Sequence, residues 1–160
     1  IADMDAAFWD RAVGLNLTSH QMVLRCAIPF LKLGFDPAVV FIGSKNVPAP
    51  GPGMAAYSVP KAGLTQLARV AALELAPAGV RVNVLHPDAV FDTGVWTEEV
   101  LEGRAAKYGM TVDEYKTRNL LSTEVSSADV AAATVAFAGP TFSKTTGAQI
   151  PIDGGNDRVI

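Results

Sequence analysis

The sequence predicts an α/β fold built on a parallel sheet. The run 38–43 (AVVFIG) is unbroken, apolar and rich in β-branched residues, which is typical of a strand buried on both faces, and 80–87 (VRVNVLHP) indicates another buried strand. Segments with helical periodicity precede, separate and follow them, and a last run, 148–155 (AQIPIDGG), indicates a final strand and turn. Because strands and helices alternate in this order, we expect neighbouring strands to run parallel.

The composition is that of a globular domain and excludes several classes of partner. The 160 residues are 49% hydrophobic and 18% charged, with a formal net charge of −3, which argues against disorder and against a basic surface for nucleic acid. No run of 18 apolar residues occurs, so we expect no membrane span. Cys26 is the only cysteine, which fits a reducing, cytoplasmic compartment. The sequence shows no positively charged leader followed by an apolar stretch, so we expect no signal peptide in it.

The first predicted helix lies near the start of the chain and ends at Gly34 and Pro37. Its pattern begins almost at Ile1, which is not a methionine, so we expect the sequence to be a piece of a longer or trimmed protein. The apolar residues that recur on one face of this helix are Trp9, Val13, Leu17, Leu24, Ile28 and Leu31.

A loop rich in proline and glycine, 46–53, leads to a second predicted helix from about Tyr57 to Ala76. Pro60 disfavours a much earlier start, because proline is costly in a helix interior. Apolar and small side chains extend almost all the way round this helix. Such a helix is buried on two sides, so we expect it to pack against its own sheet and against another subunit of a homodimer or homotetramer.

Residues 97–127 are more charged than the rest of the chain and predict two short helices, one of them with a capping box formed by Thr111 and Glu114. We expect this segment to be a lid over a substrate site. Residues 127–139 (SADVAAATVAFAG) predict a further helix before the last strand.

Three polar residues around the proline- and glycine-rich loop point to proton chemistry. Tyr57 and Lys61 are four positions apart, so they share one face of the predicted helix. A tyrosine hydroxyl is too weak an acid to ionise at neutral pH, and an adjacent ammonium group favours its phenolate. Ser44, thirteen positions before the tyrosine, follows a buried strand at the edge where ligands collect in parallel sheets.

Five motifs in this order resemble the short-chain dehydrogenase/reductase family over nearly the whole chain. Tyr-x-x-x-Lys alone occurs often by chance, whereas five motifs at the family's order and spacing are specific. They are Asn16 in GLNLTS, Ser44 in IGS, YSVPK at 57–61, VRVNVLHP at 80–87 and the Asp-Gly-Gly turn at 153–155.

The resemblance implies a Rossmann-type doubly wound sheet, a nicotinamide cofactor (NAD or NADP) and a small alcohol or carbonyl substrate. It implies that Tyr57 is the catalytic acid/base and also a cofactor-binding residue, and that Lys61 promotes its ionisation and holds the nicotinamide ribose. Ser44 would orient the substrate oxygen, and Asn16 would anchor a water in a proton relay. The residues that the resemblance places along the nicotinamide are Pro87, Asp88, Ala89, Val90 and Thr93.

The segment after the second strand departs from the family pattern. Asp88 stands where the family usually has glycine, and Asp92 occupies the usual threonine slot, with Thr93 one position later. The stretch 86–96 (HPDAVFDTGVW) resembles the dehydrogenase part of bifunctional rhamnulose-phosphate aldolase/short-chain dehydrogenases. This narrower resemblance implies a fused aldolase domain and lactaldehyde, or another sugar-derived compound, as substrate.

The family's glycine-rich dinucleotide-binding half has no counterpart in residues 1–160, which match only the C-terminal half of the family domain. The residue that separates NAD from NADP belongs to that half. We expect the native protein to be longer, or this half to be stabilised by other chains, because the open sheet edge would otherwise be exposed. The 160 residues alone are expected to be inactive.

Other interpretations remain open at this point. The chain could be a non-enzymatic half-domain held by association, or, less well supported, an epimerase or dehydratase of the extended relatives. His86, Asp88 and Asp92 have the chemistry of metal ligands, but no fourth ligand is evident, so we expect no metal site. Trp96 and Tyr108 could line a substrate pocket or anchor the lid.

Overall fold

The sheet is parallel throughout, as the sequence predicts. In the computed structural model, which describes residues 1–156, strands β1 (Ala38–Ile42), β2 (Arg81–Pro87) and β3 (Gln149–Ile152) lie side by side in the order β1-β2-β3. The last four residues of the predicted 1–160 domain lie outside the described residues.

The register of the central strand determines which side chains share a face. Val84 lies opposite Phe41 of β1 and Gln149 of β3. Because side chains alternate along a strand, Val82 and His86 lie on the same face as Val84, and the residues between them lie on the other face.

The first face of the sheet is covered by the N-terminal helices and by the long central helix. Helix α1 (Ala6–Val13) continues through a π-helical segment (Gly14–Thr18) into α2 (Ser19–Leu31), and α3 is Ala55–Leu75. The predicted apolar stripe packs here as expected, although its spacing did not reveal the π turn. Buried side chains of this core include Leu24, Phe41, Leu64, Ala68, Val82 and Val84.

The opposite face carries the last helix, so the sheet is covered on both sides, as in a doubly wound fold. Arg81, which alternates with the core residues of β2, donates to the Phe137 carbonyl of α6 (Ser127–Ala138) at 2.8 Å. Two short helices, α4 (Glu98–Lys107) and α5 (Val112–Lys116), lie between β2 and α6 in the chain. No helix within residues 1–156 is both long and apolar enough to span a bilayer.

Two details differ from the sequence predictions. Helix α3 begins at Ala55, two residues before the predicted start at Tyr57, and it includes Pro60. Pro60 is the sixth residue of the helix, where it lacks the N–H that would reach the Ala56 carbonyl, so the helix continues through it with one hydrogen bond fewer. Strand β1 is not buried on both faces, since Ile42 is exposed. The reason is that β1 is an edge strand of the described sheet.

Candidate active site

The candidate site lies where the carboxyl ends of β1 and β2 meet. Strand pairing continues past β1, because the Gly43 N–H donates to the Leu85 carbonyl at 2.7 Å and the Lys45 N–H donates to the Pro87 carbonyl at 3.0 Å. Ser44 is therefore held between two backbone anchors. It lies at the edge where parallel sheets place their ligands.

Helix α3 brings Lys61 to the same edge. The Lys61 ammonium donates to the Ile42 carbonyl at 2.9 Å and lies 5.8 Å from the centroid of the Tyr57 ring. Burial lowers the pKa of Lys61. The pKa of His20 is also lowered, first by burial and then by the Lys61 charge. The spacing of four residues thus places a tyrosine and a buried cation together, as predicted.

The Ser44 side chain is buried, and its hydroxyl accepts a hydrogen bond from the Asn46 N–H at 3.1 Å. This leaves the hydroxyl's own hydrogen for a substrate oxygen. The Ser44 carbonyl accepts from the Val47 N–H at 3.0 Å, so the turn that follows β1 orients the whole residue.

Asn16 lies in the π-helical segment 14–18, and its side-chain amide donates to the Ala12 carbonyl at 3.0 Å. The segment packs closely on α3, because a Cβ atom at Gly63 would come within 2.9 Å of the Leu17 side chain. Single π turns inside α-helices occur frequently at functional sites. The structure therefore places the segment that carries Asn16 next to α3, and the relay role of Asn16 stays a prediction.

Asp88, the departure from the family glycine, is tied to its surroundings. Its carboxylate pairs with Lys45 at 2.9 Å and accepts from the Asn156 side chain, and the ion pair is largely shielded from solvent. The next residue, Ala89, has a φ of 46°, in the left-handed region that non-glycine residues rarely adopt. The chain turns sharply here, directly after β2.

Thr93, the uncertain candidate for cofactor contact, is exposed, and its hydroxyl donates to the Val90 carbonyl at 2.8 Å. Asp92 instead accepts from the backbone N–H of Ser127 at 2.8 Å and from its hydroxyl at 2.6 Å. This pairing joins the loop after β2 to the start of α6. It also lowers the pKa of the Asp92 carboxyl, chiefly through the Ser127 hydroxyl bond.

The predicted segment 97–127 contains two short helices, and the capping box of Thr111 and Glu114 is present, as predicted. The segment lies against the loop after β2, leaving between them a cavity of about 10 Å³, the space of one water molecule. Its role as a lid stays a prediction.

Aromatic side chains hold this segment in place. Tyr115 is buried, with ring centroids of Phe91, Trp96 and Tyr108 at 5.9, 6.3 and 5.9 Å. The Arg118 guanidinium lies 4.8 Å from the rings of both Tyr115 and Tyr108. Trp96 and Tyr108 could line a substrate pocket or anchor the segment, and this cluster favours anchoring for both.

His86 is the residue whose place the sequence analysis missed. It was considered only as a metal ligand beside Asp88 and Asp92, whereas its ring lies under Ser44 and beside Gln149. Within residues 1–156, no group of three or more His, Cys, Asp or Glu side chains is placed to hold a metal ion. The signal available was a polar residue at an inward position of a buried strand.

Comparisons with known proteins identify the family and the fold. Residues 1–157 match the family model described as enoyl-(acyl carrier protein) reductase. The uncharacterized oxidoreductase YuxG of Bacillus subtilis is 41% identical over 153 residues, covering 92% of this chain and 22% of YuxG. D-beta-hydroxybutyrate dehydrogenase of Rhizobium meliloti is 29% identical, covering 97% of this chain and 61% of the relative.

A solved structure shares the same fold. The NADPH-bound short chain oxidoreductase of Pseudomonas aeruginosa PAO1, which contains an atypical catalytic center, superposes with a TM-score of 0.83 at 28% identity, covering 97% of this chain and 59% of that one. The chain spans less than two thirds of the length of these relatives. The family-model match over almost the full sequence, together with the shared fold, shows that the chain belongs to the short-chain dehydrogenase/reductase family.

Proposed function

We propose that this chain forms the catalytic half of an oxidoreductase that transfers hydride between NAD or NADP and a small alcohol or carbonyl substrate. The observation that carries the proposal is the buried Lys61 ammonium at the end of β1, 5.8 Å from the Tyr57 ring. Placing a cation in a buried position is costly, so a site that retains one beside a tyrosine is a candidate for proton chemistry.

Each side chain has a distinct task in this proposal. In alcohol oxidation, the Tyr57 oxygen acts as the general base and takes the hydroxyl proton, the C–H bond breaks with its electron pair leaving as hydride, which a bound cofactor would accept, and the C=O bond forms. Ser44 donates its free hydrogen to the substrate oxygen and so fixes its orientation. Asn16 anchors a water that returns the proton to solvent. Reduction of a carbonyl follows the same steps in reverse.

The nicotinamide end of the cofactor fits the described residues. Lys61 uses one of its three N–H donors on the Ile42 carbonyl, which leaves two for ribose hydroxyls. The Asp88 carboxylate is neutralised by Lys45, so it leaves no unbalanced negative charge beside the ring. When bound, the cofactor supplies the hydride donor or acceptor. The residues that would flank the nicotinamide are Pro87, Asp88, Ala89, Val90 and Thr93.

We further propose a sugar-derived substrate such as lactaldehyde and a fused aldolase domain in the whole protein. The motif at 86–96 supports this assignment. So does the length of YuxG, because more than three quarters of that relative lies outside the matched region. A cytoplasmic location and self-association through α3 complete the proposal.

Replacing the catalytic tyrosine tests the proposal. In the intact protein, Tyr57→Phe should lower kcat by about 10²- to 10⁴-fold, the usual contribution of a general acid or base. The dissociation constant for NAD or NADP should stay nearly unchanged, because the ring remains in place. Steady-state kinetics and calorimetric nucleotide titration on the same sample give both values. Turnover equal to that of the wild type would refute the assignment.

A further inference from the structure

The imidazole of His86 lies directly beneath the serine of the candidate site. His86 is 4% exposed, and its Nδ1 atom lies 3.0 Å from the Ser44 carbonyl oxygen and 3.2 Å from the Ser44 backbone nitrogen. Its Nε2 atom lies 3.3 Å from the side-chain amide of Gln149 on the neighbouring strand. Both ring nitrogens are therefore engaged, one by the residue that would orient the substrate.

The absence of a side chain at Gly43 leaves the space that this ring occupies. A Cβ atom at Gly43 would come within 2.6 Å of His86 Nδ1, 2.8 Å of its Cε1 and 3.0 Å of a Val84 methyl carbon. Any larger residue at Gly43 would displace the imidazole from the Ser44 backbone. The glycine before the serine thus allows the close approach of ring and backbone.

The neighbours of the ring determine which nitrogen carries the hydrogen. Arg69 has only donors, so the Gln149 oxygen faces it and accepts from Nη2 at 2.7 Å and from Nε at 2.8 Å. The Gln149 amide N–H group then faces His86 Nε2, which must accept. With Nε2 accepting, the hydrogen of the neutral ring lies on Nδ1, and this N–H donates to the Ser44 carbonyl at 3.0 Å instead of Nδ1 accepting from the Ser44 N–H at 3.2 Å.

We infer that His86 is a positioning residue for Ser44, and that Gln149 and Arg69 set its tautomer. The inference rests on the proposed function, in which the Ser44 hydroxyl orients the substrate oxygen. The Nδ1–H and the Val47 N–H together hold the Ser44 carbonyl, and the Asn46 N–H holds its hydroxyl. Without the imidazole donor, the Ser44 carbonyl keeps only the Val47 N–H, so the peptide is held less firmly and the hydroxyl loses part of its orientation.

Three substitutions at His86, made in the intact protein, test the inference. His86→Asn keeps a donor near the Nδ1 position, His86→Gln places its amide near the Nε2 position, and His86→Leu removes both. His86→Leu and His86→Gln should each lower kcat by about 10- to 100-fold, the loss expected when a group that orients a reacting residue is removed. The KM for NAD or NADP should stay unchanged. Asn should recover most of the loss.

Stability measurements separate positioning from packing. All three variants remove the ring, so all three are expected to lower the midpoint of thermal unfolding, and only the kinetics should distinguish Asn from Gln. Equal losses of kcat in the three variants would overturn the inference, since a ring that only fills space has no preferred donor position. Rescue by Gln rather than Asn would overturn it as well.

A spectroscopic measurement decides the tautomer without turnover. Long-range ¹H–¹⁵N correlation of the wild-type protein should show His86 as the Nδ1–H tautomer, with Nε2 unprotonated. Hydrogen on Nε2 alone would overturn the inference, because Nδ1 would then accept the Ser44 N–H and leave the Ser44 carbonyl to the Val47 N–H alone. If the wild type oxidises or reduces no alcohol or carbonyl with NAD or NADP, the proposed function fails, while the tautomer still tests the assigned contact.

Discussion

Lys61 shows how one residue ties the candidate chemistry to stability. Its side chain is 8% exposed, and burial lowers its pKa from the ordinary value near 10.5. The bond to the Ile42 carbonyl satisfies one donor and positions the ammonium at the strand end. An apolar side chain would pack there at a lower cost, so the charge is better explained by the site than by the core.

The pH dependence of stability tests this reading of Lys61. Between the lowered folded pKa and the unfolded value, the unfolded chain binds more protons than the folded one, so stability rises with pH in that window. The free energy of unfolding of the wild type relative to Lys61→Met should therefore increase as pH rises towards 10.5, because stability rises in that window. Urea unfolding at a series of alkaline pH values measures the difference.

The matched control for that experiment is Lys107→Met, since Lys107 is exposed on α4. The free energy of unfolding of the wild type relative to Lys107→Met should change little with pH. If the unfolding free energies of Lys61→Met and Lys107→Met differ from that of the wild type by amounts that vary with pH in the same way, burial of Lys61 does not control its proton affinity.

Among the elements, helix α6 is joined to the sheet through its C-terminal end. Arg81 of β2 donates to the carbonyls of Phe137 at 2.8 Å and Ala138 at 3.0 Å, and it also pairs with Asp36 at 3.4 Å. The last carbonyls of a helix have no partner within the helix and carry partial negative charge, so a buried guanidinium stabilises them.

Removing this arginine should weaken the attachment of α6. Arg81→Met leaves buried carbonyls without donors and should lower the free energy of unfolding by about 2–3 kcal/mol. Arg81→Lys should recover only part of that loss, because an ammonium cannot serve several carbonyls in a plane. Denaturant unfolding measures both, with exposed Arg104→Met as a control expected within about 0.5 kcal/mol of the wild type. A loss no larger than the control would contradict the assignment.

At the scale of the whole molecule, one face of α3 lacks a partner within the described chain. Val59 and Leu73 are exposed although they lie on the helix that carries the candidate catalytic pair, and Leu73 is 78% exposed. The opposite side of the same helix is buried in the core. A homodimer or homotetramer that uses this face stays a prediction.

A charge on the exposed face of α3 should prevent that assembly. Leu73→Glu should convert the oligomer to a smaller species, because association would bury an unpaired carboxylate. Leu33→Glu is the control, since this leucine is also exposed but lies beyond the end of α2. Sedimentation velocity of the intact protein gives the masses. A monomeric wild type, or equal masses for wild type and Leu73→Glu, would contradict the prediction.

The sequence by itself determined the order of elements and the pairing of Tyr57 with Lys61. Both depend on local rules, namely the period of apolar residues and the spacing of four residues along one helix. Local rules also predicted the capping box at Thr111 and the end of α6 near Gly139, and the structure contains both.

Only the tertiary structure decided the contacts that join distant parts of the chain. His86 reaches Ser44 across 42 positions, and Asp88 reaches Lys45 across 43. Such pairs depend on strand order, on register and on which face each side chain takes. A shift of one residue in β2 would turn His86 to the opposite face of the sheet. The sequence contains these residues, but the packing of the sheet brings them together.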